Sequence, residues 1–152
     1  VPLNRDFVGR SAPAAEAFEV TRGDIRRFAA AIGDAHPAYH DRAAAQALGH
    51  RDVVAPPTFL ITLGLAGSSN FLTDPELGLD YSLIVHGEQK FVLHRPVYAG
   101  DVLDSEARIE QIRDVGRNEL MQLVTEITSA GEPVATVSNS LVSRGTAAPK
   151  TA

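Results

Sequence analysis

Residues 56–67 read PPTFLITLGLAG. After the Pro-Pro step every position except Thr58 and Thr62 is apolar or glycine, and none is charged. Pro57 suits the first turn of a helix, because the N–H it lacks would have no partner there. A helix without a polar face is buried on all sides, and this one falls well short of the roughly 20 residues needed to span a bilayer. A water-soluble chain can satisfy both conditions by wrapping the helix in a curved sheet. Gly64 and Gly67 then read as points of close packing, since no strand, glycine loop and lysine surround them as a phosphate site would require.

The sequence downstream supplies the sheet. A turn-rich loop over 68–80 is followed by four strand patterns, at 81–93, 102–113, 119–128 and 134–144. The breaks between them, at 95–101, 114–118 and 130–133, are short, which favours antiparallel neighbours. Leu103, Ala107 and Ile109 alternate with Asp104, Glu106, Arg108 and Glu110, the pattern of a sheet with one wet face.

Upstream, residues 1–15 read as an irregular lead-in and Phe18-Glu19-Val20 as a short strand. Thr21 and Asp24 form a capping-box variant that opens a helix. Ile25, Phe28, Ala29 and Ile32 make its apolar face, and Gly33 closes it. Between this helix and the central one lies the densest group of ionisable side chains in the chain, Gly33-Asp34-Ala35-His36-Pro37-Ala38-Tyr39-His40-Asp41. Pro37 holds His36 extended. Asp41 caps a second short helix over 42–48, which Gly49 closes, and residues 49–52 form a polar loop.

Composition sets outer limits. The 152 residues are expected to form a single domain, with a core over 7–144 and a tail over 145–152. A net charge of -5 and no basic run argue against a nucleic-acid surface. There is no cysteine, which excludes disulfides, thiolate nucleophiles and Cys-based zinc sites. The start, VPLNRDFVGR, carries no apolar signal core. The expectation is a cytoplasmic protein that meets neither membrane nor nucleic acid. His36 and His40 have i, i+4 spacing, but Pro37 breaks the helix a metal pair would need, so no metal is expected.

One early strand, helices that include a buried central one, and four antiparallel strands give an α+β chain with about five strands around a central helix. That order is the hot-dog fold. The sequence resembles the MaoC-like hydratase/dehydratase family, over roughly residues 7–144. It is most similar to N-terminal-type MaoC dehydratase domains and to small actinobacterial subunits of (3R)-hydroxyacyl-ACP dehydratases. The carrying segments are FAAAIGDAHP at 28–37, VAPPTF at 54–59, HGEQ at 86–89 and HRPV at 94–97.

The resemblance implies addition of water to a trans-2-enoyl thioester, or its removal from a (3R)-hydroxyacyl thioester, with CoA or ACP as carrier, in fatty-acid or polyketide metabolism. No redox cofactor or metal is implied. An Asp and a His five residues later hold the water and move the proton, and backbone N–H groups at the start of the central helix polarise the carbonyl. The family pattern is Gly-Asp-x-Asn-Pro-x-His-x-Asp. Gly33, Asp34, Pro37 and Asp41 match it; His36 stands at the Asn position and Tyr39 at the His position, with His40 one residue later. Pro57 stands at the family's glycine donor, so the donor is Thr58 N–H or comes from elsewhere. Asp34, His36, Tyr39 and His40 are therefore the candidate catalytic residues, and Pro57, Thr58 and Phe59 the candidate substrate-binding ones. Related folds that hydrolyse thioesters carry a carboxylate on the central helix, and residues 57–67 offer none.

Three functions follow: a hydratase/dehydratase active as a homo-oligomer, a non-catalytic subunit that forms the acyl channel beside a catalytic hot-dog partner, and an acyl-thioester-binding domain without activity. Sheet edges left open in such small domains imply at least a dimer, homo or hetero.

Overall fold

The computed structural model describes residues 1–149, with side chains described at all of them except 65–67. The architecture is α+β, with the elements in the order β1 (Ser11–Pro13), β2 (Phe18–Glu19), α1 (Arg22–Ala31), α2 (Arg42–Ala47), α3 (Ile61–Leu72), β3 (Ile84–Leu93), β4 (Val102–Val115), β5 (Asn118–Ser129) and β6 (Glu132–Ser143). All strand pairs are antiparallel and the sheet runs β1-β4-β5-β6-β3, with β2 also on β4. This is the hot-dog arrangement, with α3 against the inner face of the sheet.

The local signals produce the elements expected of them. Thr21 accepts a hydrogen bond from Asp24 N–H, and the Asp24 carboxylate accepts one from Thr21 N–H, so α1 begins in a full capping box. Its buried face is Ile25 and Ala29, with Phe28 half-buried; Ile32 is 50% exposed because α1 ends there and the chain turns away. Odd-numbered residues of β4 from Leu103 to Ile109 are buried and a bulge after Ile109 restores the phase at Ile112.

Four expectations change. First, α3 starts at Ile61, not at Pro57. Residues 57–60 form tight turns, with Phe59 N–H on Pro56 O (3.0 Å) and Ile61 N–H on Thr58 O (3.1 Å). The cause lies upstream: residues 53–55 pair with 97–99, through Ala55 N–H on Val97 O (2.8 Å) and Ala99 N–H on Val53 O (3.0 Å). The chain must leave that pairing and seat Phe59 and Leu60 in the core before a helix can begin. At its other end α3 continues to Leu72, which places Phe71 in a second core cluster, so the loop begins only at 73.

Second, α3 is not covered on every side: Thr62, Ser69 and Asn70 are exposed. Gly64 is a point of close packing, because a Cβ there would lie 2.9 Å from Val137 Cγ1; the surroundings of Gly67 lie outside the described residues. Third, β3 pairs with β6, not with β4, so 94–101 is a crossing and not a hairpin, and among the described residues no strand pairs with the other edge of β3. Fourth, the lead-in is ordered. Leu3 and Phe7 are buried, Leu3 N–H donates to the buried Glu119 Oε2 at 2.8 Å, and β1 joins the sheet. The start of the expected tail is also tied down, by Ala147 N–H on Arg117 O (3.2 Å) and Gly145 N–H on Asn118 Oδ1 (3.0 Å). Residues 150–152 of that tail lie outside the described residues.

Candidate functional site

The loop after α1 is built from its own backbone. Gly33 takes φ 73°, the left-handed value that lets the chain reverse. Asp34 N–H then returns to Ala29 O at 2.9 Å, and Asp34 Oδ1 accepts from His36 N–H at 3.0 Å. Pro37–Tyr39 is a single tight helical turn, entered from an extended His36 (φ -58°, ψ 126°). This turn, not an extended strand, sets where the side chains of 38–40 go. His36 Nδ1 accepts from Ala38 N–H at 3.2 Å, so a neutral ring carries its proton on Nε2. His40 Nε2 lies 2.9 Å from the main-chain oxygen of Asp34 and acts as donor to it. Asp41 caps α2 through Ala43 N–H and Ala44 N–H.

A cavity of about 450 Å³ opens beside this loop. Its apolar walls include Val54, Leu60, Leu93 and Val97, and its polar lining is His36, Tyr39, His50, His94 and Arg95. The structure brings three of the sequence-derived candidates to it: His36, Tyr39 and Pro57. The His36 and Tyr39 rings are 5.4 Å apart, and Tyr39 is half-buried against the main core. Asp34, His40, Thr58 and Phe59 are not on its wall. Phe59 is a core residue, 2% exposed, with its ring edge-on to Phe28 at 5.5 Å. Thr58 is exposed, and its N–H meets no acceptor among the described residues. Among the described residues, no Asp or Glu lines the cavity.

Sequence reasoning passed over the opposite wall. The polar loop at 49–52 and the break at 95–101 meet here: Arg51 and Arg95 share one buried carboxylate, and His50 joins them through Tyr98. Asp101, 4% exposed, accepts from Arg95 Nη1 (2.8 Å), Arg95 Nη2 (3.2 Å), Tyr98 N–H (2.9 Å) and Arg51 Nη2. Burial pushes its carboxyl up, but the bonds from Arg95 and Tyr98 N–H and the charges of Arg95 and Arg51 outweigh it and hold the group below its ordinary range. The Arg51 guanidinium lies over the Tyr98 ring, 4.9 Å from its centre, and Tyr98 OH is 3.1 Å from His50 Nδ1. The signal in the sequence was the segment HRPVYAGD at 94–101, where an Arg and an Asp flank a turn.

Among the described residues no group of three His, Asp, Glu or Cys side chains is arranged to hold a metal, and no helix is long and apolar enough to cross a membrane.

Residues 6–137 match the family model described as FAS1-like, dehydratase domain region. A UPF0336 protein of Parafrankia sp. (strain EAN1pec) is 55% identical over 152 residues, covering 99% of this chain and 100% of that protein. Among solved structures, a MaoC-like dehydratase superposes with a TM-score of 0.83 at 33% identity, over 90% of this chain and 42% of the other. The C-terminally truncated HadBC (3R-hydroxyacyl-ACP dehydratase) complex from Mycobacterium tuberculosis superposes with a TM-score of 0.82 at 30% identity, over 92% of this chain and 99% of the other.

Proposed function

Since the chain belongs to the FAS1-like dehydratase-domain family and is a MaoC-like hot-dog protein, we propose that it is the acyl-binding subunit of a two-chain hydro-lyase. The enzyme interconverts trans-2-enoyl and (3R)-hydroxyacyl thioesters in cytoplasmic fatty-acid or polyketide metabolism. This chain acts as one domain and supplies the acyl cavity; a second hot-dog chain supplies the acid–base pair.

One observation carries this reading: among the described residues the cavity has apolar walls, three imidazoles, a phenol and a guanidinium, but no carboxylate. Water addition needs a group that takes the proton of the water and returns it to carbon, within hydrogen-bond reach of both. The family does this with a paired Asp and His, and here the Asp34 carboxylate is bound to His36 N–H and the His40 ring faces a carbonyl. The 30%-identical neighbour is the HadBC (3R-hydroxyacyl-ACP dehydratase) complex. The free edge of β3 offers such a partner a strand to pair with.

The test is hydration of crotonyl-CoA and of a longer enoyl-CoA by the chain alone and with a hot-dog partner that carries the full Gly-Asp-x-Asn-Pro-x-His motif. Turnover only with the partner is expected. Full turnover by the chain alone selects the second reading, in which His36 and Tyr39, both on the cavity wall, work with Asp34 and His40. Acyl binding without turnover in either setting selects a binding domain.

A further inference from the structure

We propose that Arg51 and Arg95 form a phosphate-recognition site at the mouth of the cavity, which takes the phosphate end of the carrier arm of a thioester. This rests on the acyl-thioester reading above and adds to it the group that the chain recognises outside the cavity.

The two guanidiniums are held as a unit. Both donate to the same oxygen of Asp101, so one nearly buried carboxylate fixes two cations and leaves a net positive charge. They differ in depth: the Arg95 side chain is 27% exposed and lines the cavity, while that of Arg51 is 59% exposed, rests on the Tyr98 ring and is not on the cavity wall. Their donors are not exhausted. Arg95 gives three N–H groups, to Pro96 O and to the two oxygens of Asp101, and Arg51 gives one to Asp101. A guanidinium has five. The remaining donors belong to planar forks, the geometry that suits the oxygens of a phosphate.

The surroundings favour an anion as well. His50 and His94 lie on the same wall, and the nearby Asp52 carboxylate is engaged by Arg22 and Arg42. Glu132 is a second counter-charge on Arg95, so the outward-facing cation of the pair is Arg51, on a chain of net charge -5. A ligand with an apolar end in the cavity and a phosphate in water at its mouth satisfies both halves of the site. A phosphate joined to a thioester through a pantetheine arm has this form, and it occurs in CoA and in the prosthetic group of a carrier protein.

The experiment compares binding of three trans-2-octenoyl thioesters by equilibrium dialysis: that of CoA, that of pantetheine 4′-phosphate, and that of N-acetylcysteamine, which has no phosphate. The proteins are the full chain and its Arg51→Gln, Arg51→Lys and Arg113→Gln variants. Arg51→Gln should weaken the phosphate-bearing ligands by about fivefold to tenfold, an effect that fades with added salt, and leave the N-acetylcysteamine thioester unchanged. Arg51→Lys should restore part of the loss, and Arg113→Gln, an equal charge change elsewhere, should do nothing. Loss for both phosphate ligands places the arm's own phosphate at the site; loss for CoA alone places a nucleotide phosphate there. Equal binding of all three ligands with no response to Arg51→Gln overturns the inference and leaves the acyl-thioester reading intact. Failure of all three to bind overturns that reading and the inference with it.

Discussion

His40 presents its Nε2 to the main-chain oxygen of Asp34, at 2.9 Å, and not to the Asp34 carboxylate, which caps His36 N–H. The imidazole here fastens a loop. His40→Ala should therefore cost about 1 kcal/mol of stability, the worth of one lost hydrogen bond, measured by urea unfolding. Asp34→Asn keeps the oxygen that His36 N–H uses and should cost less. Turnover of the proposed two-chain enzyme should stay within about twofold for both; a loss on the order of a hundredfold, the usual effect of removing a general acid or base, would return the chemistry to this chain.

Asp52 gives the fold an acid-sensitive joint. Its carboxyl is held at about 2, first by the hydrogen bond from Arg22, with burial opposing and with Val53 N–H and the charges of Arg22 and Arg42 assisting. A depressed carboxyl stabilises the fold fully above its unfolded value and ceases to do so as the pH drops to the folded one. Unfolding free energy should therefore decline between about pH 4 and pH 2. Asp52→Asn should lower stability at pH 7 by no more than about 2 kcal/mol, less after solvent screening, and should match the wild type near pH 2. A variant whose deficit is the same at both pH values would refute the linkage.

Asp101 and its two arginines should respond unequally. Asp101→Asn removes the charge from a buried position and leaves Arg95 without its counter-ion, at a cost of about 3 kcal/mol. Arg51→Gln, on the exposed side, should cost under about 1 kcal/mol. Guanidinium unfolding of the two variants side by side checks the ratio.

At Gly64 the sign of an effect should depend on a second residue. Alanine is the better helix former by about 1 kcal/mol, but its Cβ would sit 2.9 Å from Val137 Cγ1, and such overpacking costs about 1–3 kcal/mol. Gly64→Ala should destabilise the wild type and stabilise a chain that already carries Val137→Ala. A double-mutant cycle by thermal unfolding reads the coupling.

What the sequence made legible was local. The Thr21/Asp24 box and the Asp41 cap lie within three residues of the N–H groups they serve, and the alternation along β4 repeats every second residue. The start of α3 was misplaced because its cause, the pairing of 53–55 with 97–99, is some 44 residues away, as in Val54 with Tyr98. Ile32 kept helical spacing but lies where the helix stops, and spacing carries no information about that. The pairing of β3 with β6 depends on which strand closes the sheet, and all three breaks between strands looked alike. The site divided in the same way. His36 and Tyr39, on the cavity wall, belong to a local motif, whereas the Arg51–Asp101 contact spans 50 positions and has no periodic or motif signature.

The free side of β3 has a further effect, on how long the protein lasts. About every second residue of the ten in β3 turns its main-chain N–H and C=O away from β6, and with Val85, Val92 and Leu93 each at least 40% exposed this edge offers donors and acceptors to any extended segment that arrives. A molecule made in excess of whatever strand covers that edge is a template for mispairing and a target for proteolysis. The abundance of the protein in a cell would then follow the supply of its cover more closely than the rate of its own synthesis.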